Sequence, residues 1–150
     1  MIWTPHAVVA TIVQRDDRFL LVEEVVDGET VYNQPAGHVD ENERILDAAL
    51  RETLEETGYR VRLDHLTGVY TVGGKAGVTY YRFCFAATFL EETDLPLDAG
   101  IVGPRWFTLD EIRGLGHQLR SPLVIKCLED YLDGRRYPLD LIYEHPDRFL

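Results

Sequence analysis

Short apolar runs separated by turn residues fill the first third of the chain, and helical spacing takes over only after residue 42. Residues 6–14, His-Ala-Val-Val-Ala-Thr-Ile-Val-Gln, are β-branched and apolar, which predicts a strand. Residues 18–26 predict a second, with Asp16-Asp17 as the tight turn between the two. Asp27-Gly28-Glu29 marks another turn, a short strand follows over 30–33, and Pro35-Ala36-Gly37 is read as a break in regular structure.

From residue 43 the period changes. Leu46, Ala49, Leu50, Thr53 and Thr57 recur at about 3.6 residues, which predicts a helix over 43–57 with this set facing the core. Asp40, Glu41 or Asn42 would cap its start, and Gly58 would stop it. Extended segments are expected over 59–72, 78–90 and 101–107. A glycine-rich loop joins the first two, and Trp106-Phe107 anchors the last in the core. Thr108-Leu109-Asp110-Glu111 has the spacing of a capping box and opens a short helix. Ser121-Pro122 opens a final helix that runs to about residue 133, before Gly134. The tail, 137–150, is irregular, and Leu139, Leu141, Ile142 and Tyr143 are expected to pack it down. Strands and helices mix without strict alternation, so the fold class is α/β, a mixed sheet flanked by helices. The length fits one domain over residues 1–150.

Composition narrows the function. A hydrophobic share of 45% is that of an ordinary globular protein, and the net charge is −11. A chain this acidic lacks the basic patches that non-specific nucleic-acid binding needs. No apolar run approaches a membrane span, and no basic-then-apolar leader opens the chain, so a cytoplasmic protein without a membrane partner is expected. Cys84 and Cys127 read as buried small hydrophobes rather than as ligands or a disulfide.

The chemistry lies in residues 37–58. On a helix Glu52, Glu55 and Glu56 are related as i, i+3 and i+4 and cover roughly 100° of one side. Ala48, one turn earlier on that side, leaves room for an ion or a water. Like charges at this spacing destabilise an exposed helix by about 0.2–0.5 kcal/mol a pair. A solvated acidic face is the bland explanation. Grouped hard oxygen ligands instead suit Mg²⁺, with Mn²⁺ as the alternative, and zinc-type His/Cys spacing is missing nearby. Arg51 stands inside the cluster and Glu43 two turns before it can pair with it. The joint pattern G-x5-E-x7-R-E-x2-E-E-x-G is long enough to be rarely met by chance.

This stretch resembles the Nudix box, which defines the Nudix hydrolases, enzymes that cleave nucleoside diphosphates linked to another group. Every charged and glycine position of the pattern is present, while two positions that usually hold aliphatic residues hold Thr53 and Tyr59. The segments 32–38, 119–124 and 134–139 extend the likeness to the NudJ-type phosphatase branch. The resemblance implies an α/β/α sandwich with a mixed sheet. It implies metal ligation by Glu52, Glu55 and Glu56 with the Gly37 carbonyl, and activation of the attacking water by Glu52. Arg51, tied by Glu43, would hold the glutamates in place. It also implies metal-dependent hydrolysis of nucleoside tri- and diphosphates with release of phosphate, extending to thiamine-type pyrophosphates. The competing readings are a Nudix pyrophosphohydrolase that yields a monophosphate and pyrophosphate, and a nucleotide-sensing module without turnover. The partner would be a small nucleotide or pyrophosphate substrate, bound by a monomer or homodimer.

Substrate contacts are less determined. Asn33 and Gln34 either line the pocket or make strand-end hydrogen bonds, and Tyr32 either stacks on a heterocycle or packs in the core. Arg105 and Arg120 are either phosphate clamps, as guanidinium forks suit phosphate, or surface ion pairs. His6 reads as structural, and Glu91-Glu92 as a solvated loop more than an extra base.

Overall fold

The computed structural model describes residues 1–146, so the last four positions of the expected tail lie outside the described residues. Seven strands form in chain order: β1 (His6–Arg15), β2 (Arg18–Val26), β3 (Glu29–Asn33), β4 (Ala36–His38), β5 (Tyr59–Gly73), β6 (Thr79–Glu92) and β7 (Ile101–Thr108). The helices are α1 (Ile45–Thr57), α2 (Leu109–Leu115) and α3 (Leu123–Leu132).

β1 and β2 turn over Asp16, whose φ of 56° an aspartate tolerates, and pair only at Gln14↔Phe19 and Arg15↔Arg18. Beyond that point they diverge. β1 goes on to pair antiparallel with β4 and parallel with β6, which carries β5 on its outer side. β2 pairs antiparallel with β3 and β7. The sheet is therefore mixed and forked, as the irregular alternation of strands and helices predicts.

Period-two alternation sends successive residues of β1 and β6 to opposite faces. Val9 and Phe85 meet Ala48 and Ala49 of α1 on one side. Ala10, Ile12 and Cys84 meet Leu123, Val124, Cys127 and Leu128 of α3 on the other. A third cluster, Val13, Leu20, Tyr59, Val61 and Ala87, fills the crotch of the fork, with Trp106 half-buried on it. Both cysteines are buried free thiols.

Several boundaries and faces differ from expectation. Residues 36–38 form a strand rather than a break, because their backbone finds partners at Val8, Val9 and Ala10. α1 starts at Ile45, capped neither by Asp40, Glu41 nor Asn42; the carboxylate of Glu144 accepts from Ile45 N at 2.7 Å instead. Its buried face is Ala48, Ala49, Thr53 and Thr57, and Leu50 is 38% exposed. Ala48, assigned above to the ligand side, is in the core, where its small side chain lets the helix approach Val9 and Phe85. In the tail Leu139 and Ile142 pack against the α1 cluster, whereas Leu141 and Tyr143 point to solvent. The Thr108–Glu111 capping box is formed as the spacing predicts.

Candidate active site

α1 is held to the sheet along the side that adjoins its glutamates. Thr53 Oγ1 donates to the Ala49 carbonyl and accepts from Thr11 Oγ1 of β1 at 2.8 Å, so this threonine in an aliphatic position is fully satisfied. Gly58, at φ 75°, closes the helix by donating to the Leu54 carbonyl. The rigid helix and the short strand β4 then face each other. Ala36 N donates to Glu56 Oε1 at 2.9 Å. A Cβ placed on Gly37 would stand 2.2 Å from Glu52 Cδ, so only glycine lets the strand lie against that carboxylate.

Arg51 brackets the cluster. Nε and Nη2 donate to the two carboxylate oxygens of Glu43 at 2.7 and 2.9 Å. Nη2 also donates to the His38 carbonyl at 3.0 Å, and Nη1 to Glu52 Oε1 and Glu55 Oε2, each at 2.9 Å. The Arg51 bonds hold the Glu43 carboxyl below its ordinary range, and Glu43 in turn keeps the guanidinium firmly protonated. Glu52 behaves oppositely. Burial raises its pKa despite the Arg51 bond, and the charges of Glu55 and Asp98 push the same way. Glu56 is pushed up to about 8, chiefly by burial, with the Ala36 N–H opposing and the Glu52 and Glu24 charges adding to the rise. Among the described residues no three His, Cys, Asp or Glu side chains already converge as a metal cage. Glu52 and Glu55 turn to Arg51, and Glu56 turns to β4.

The remaining sequence candidates divide. Arg120 Nη1 bonds Glu24 of β2, and its charge bears on both Glu56 and His38, so it stands beside the carboxylate cluster. Arg105 pairs with Glu23 at 3.3 Å, and the same Glu23 accepts from the Tyr32 hydroxyl at 3.0 Å. The Tyr32 ring packs edge-on to Phe107, its centroid 5.5 Å away, which is the core placement rather than a stacking platform. Gln34 is 1% exposed. Its amide nitrogen donates to the Val124 carbonyl and its oxygen accepts from Arg82, so it does not line a pocket. Asn33, half-buried, accepts from Arg82 at 3.1 Å. His6 bonds the His38 ring at 3.0 Å, and burial lowers the His38 pKa, helped by the His6 and Arg120 charges. Glu91 lies at the far end of β6 in an exposed pair with Arg60.

Glu24, Asp98 and Arg82 escaped the sequence reading. Only Glu23-Glu24 left a signal there, as an acid pair within an apolar run.

A forked mixed sheet between helices, with a glutamate-bearing helix packed on a glycine strand, defines a Nudix hydrolase. The NUDIX domain model matches residues 4–127, and the chain belongs to that family. It is 38% identical over 140 residues to the Phosphatase NudJ of Escherichia coli strain K12, covering 92% of this chain and 90% of that one. The same holds for the Phosphatase NudJ of Shigella flexneri. Among solved structures, a NUDIX hydrolase from Nitrosomonas europaea is 43% identical with a TM-score of 0.91, covering 95% of this chain and 98% of that one. A UDP-X diphosphatase, 22% identical with a TM-score of 0.74 and covering 91% of this chain and 66% of that one, shares the fold. Nudix hydrolases act on small nucleotide substrates and generally need divalent metal ions. No helix among the described residues is long and apolar enough to cross a membrane.

Proposed function

We propose that this chain, as a single Nudix domain, hydrolyses phosphoanhydride bonds in nucleoside tri- and diphosphates and in thiamine-type pyrophosphates, releasing inorganic phosphate, with Mg²⁺ or Mn²⁺. The observation that carries the reading is the pair of desolvated carboxylates pressed against β4, Glu52 at Gly37 and Glu56 at the Ala36 N–H. Carboxylates whose burial raises their pKa gain most from a nearby cation.

The donor set fits a hard divalent ion: Glu52, Glu55 and Glu56 supply oxygens, and the Gly37 carbonyl adds a neutral one. Glu52 and Glu55 would each exchange an Arg51 N–H for the ion, while Arg51 keeps Glu43 by two further bonds. Such an ion supplies neutralisation of phosphate oxygens and a lower pKa for bound water. Glu52 would orient the attacking water and take its proton. Arg120, close to Glu56 and His38, is the better placed of the two arginine clamps. The NudJ relatives, named phosphatases, support phosphate over pyrophosphate as the product.

Glu52→Gln and Glu56→Gln keep the shape of each side chain and the Ala36 hydrogen bond. Each is expected to abolish Mg²⁺-dependent turnover while circular dichroism and melting show a folded protein. Assay of the wild type on nucleotides and thiamine diphosphate, following phosphate and pyrophosphate separately, tests the product. Full activity in either folded variant, or pyrophosphate as the sole inorganic product, would overturn the reading.

A further inference from the structure

Thr67 is 1% exposed, and its Oγ1 has no hydrogen-bond partner among the described residues. A buried hydroxyl left unmet is destabilising, so something other than packing keeps it there. The register of β5 on β6 shows how it is placed. Leu66 stands opposite Phe85 and Gly68 opposite Cys84, which makes Thr67 the extra residue of a β-bulge. Bulges re-aim a side chain and recur beside sites. Here Thr67 lines a cavity of about 260 Å³ on β5, the outermost strand, and none of the α1 glutamates lines it. One water, whose share of liquid volume is about 30 Å³, would satisfy the hydroxyl and leave most of that space over.

The polar side of this cavity is built. Asp130, 4% exposed, accepts from the Tyr70 hydroxyl at 2.8 Å and from Lys126 Nζ at 2.9 Å. The bare Cα of Gly68 seats the tyrosine, since a Cβ there would stand 2.9 Å from its hydroxyl oxygen. Arg135 Nε lies 3.6 Å from Asp130 Oδ1, and the two Nη nitrogens have no hydrogen-bond partner among the described residues. One anion therefore holds two cations, and a guanidinium fork is left over at the cavity. Tyr137 and Leu141, 41% and 61% exposed, form the apolar wall. A free fork suits a carboxylate, an exposed ring beside an aliphatic side chain suits a flat apolar body, and the unmet hydroxyl suits a polar substituent. Together they describe a small ring carboxylate.

The apolar wall belongs to the segment that ties down α1. Tyr137 bonds Leu66 through both backbone groups, each at 2.9 Å. Further along, Leu139 and Ile142 pack on the cluster of Leu66, Ala48 and Ala49, and Glu144 accepts from Ile45 N at the start of the glutamate helix. A ligand resting on Tyr137 and Leu141 therefore steadies a strap whose far end caps α1.

We propose that this cavity is a regulatory site for a small ring carboxylate, whose binding firms the 137–144 strap and so raises the affinity of the α1 glutamates for Mg²⁺. The site stands independently, while its coupling rests on the metal-dependent function proposed above. Calorimetric titration with 4-hydroxybenzoate is expected to saturate at one site per chain with a Kd of about 1 mM or tighter. 4-Hydroxybenzyl alcohol, which lacks the charge, is expected to bind roughly tenfold more weakly, as is 4-hydroxybenzoate to Arg135→Gln. Thr67→Val keeps the shape and removes the unmet hydroxyl. It is expected to melt no lower than the wild type while losing roughly tenfold in affinity. Linkage is reciprocal, so saturating Mg²⁺ is expected to tighten 4-hydroxybenzoate binding about fivefold, and 4-hydroxybenzoate to lower the Mg²⁺ Kd by the same factor. Glu144→Ala is expected to keep the carboxylate and lose this coupling. Absence of saturable binding up to about 10 mM, or wild-type affinity in both Arg135→Gln and Thr67→Val, would overturn the site. Carboxylate binding that Mg²⁺ leaves unchanged would overturn the regulation. If Mg²⁺ does not bind the wild type at all, the metal-dependent function and the regulation fall together, and the site is judged on the Arg135 and Thr67 variants alone.

Discussion

Glu56 accepts one backbone N–H, faces two like charges, and is largely removed from water. Its folded pKa of about 8 lies above the ordinary 4.5, so between these values the native state holds a proton that the unfolded chain has released. Stability of the metal-free protein from this group is therefore fully present below about 4.5, falls as pH rises, and levels off only above about 8. Glu52, raised in the same direction, adds to the slope. Urea unfolding in the presence of a chelator is expected to give a lower midpoint at mildly alkaline than at mildly acidic pH, and Glu56→Gln is expected to flatten that difference. A midpoint that rises with pH over this window would contradict the burial described for Glu56. Excess Mg²⁺ is expected to lessen the slope as well, because a bound cation favours the charged carboxylate.

α1 shows both the reach and the limit of sequence reading. Its existence, its end at Gly58 and the carboxylate cluster along it were legible, because periodicity, a C-terminal glycine and crowded acidic positions are all local signals. Its rotation was not. Leu50 is more apolar than Ala48, yet the close approach to Val9 and Phe85 admits only the smaller residue. Its cap was also hidden, since Glu144 lies 99 positions away and no local spacing announces it. β4 was missed for a related reason: Pro35-Ala36-Gly37 has the composition of a loop and becomes a strand only because β1 offers three partners. The Glu24, Asp98 and Arg82 contacts are likewise products of topology. The distal cap carries a prediction. Glu144→Ala is expected to destabilise the protein by about 0.5–2 kcal/mol, the usual worth of a helix N-cap. It should raise the Mg²⁺ concentration needed for half-maximal activity at the same time, since the same helix presents the glutamates. A loss of stability with an unchanged Mg²⁺ requirement would separate the cap from the site.

The molecule as a whole is organised by the fork of β1 and β2. Glu24 and Tyr32 stand on one arm and His38 and Arg82 on the other; Arg120 bonds the first arm, and its charge bears on His38 of the second. The arms share only the pairs at Gln14 and Arg15. Because strand faces alternate with every residue, one residue added inside β1 between the pivot and Val9 would invert the inner arm and drive Arg82's neighbours to the wrong side. An insertion in the loop at 74–77 would change neither arm. Melting and nucleotide turnover of the two insertion variants are expected to differ accordingly, with collapse of both properties in the first and near-retention in the second. The pivot thus acts as a phase lock: lineages descended from this architecture are free to vary in length at the outer rim, but any drift at the hinge would have to arrive in steps of two.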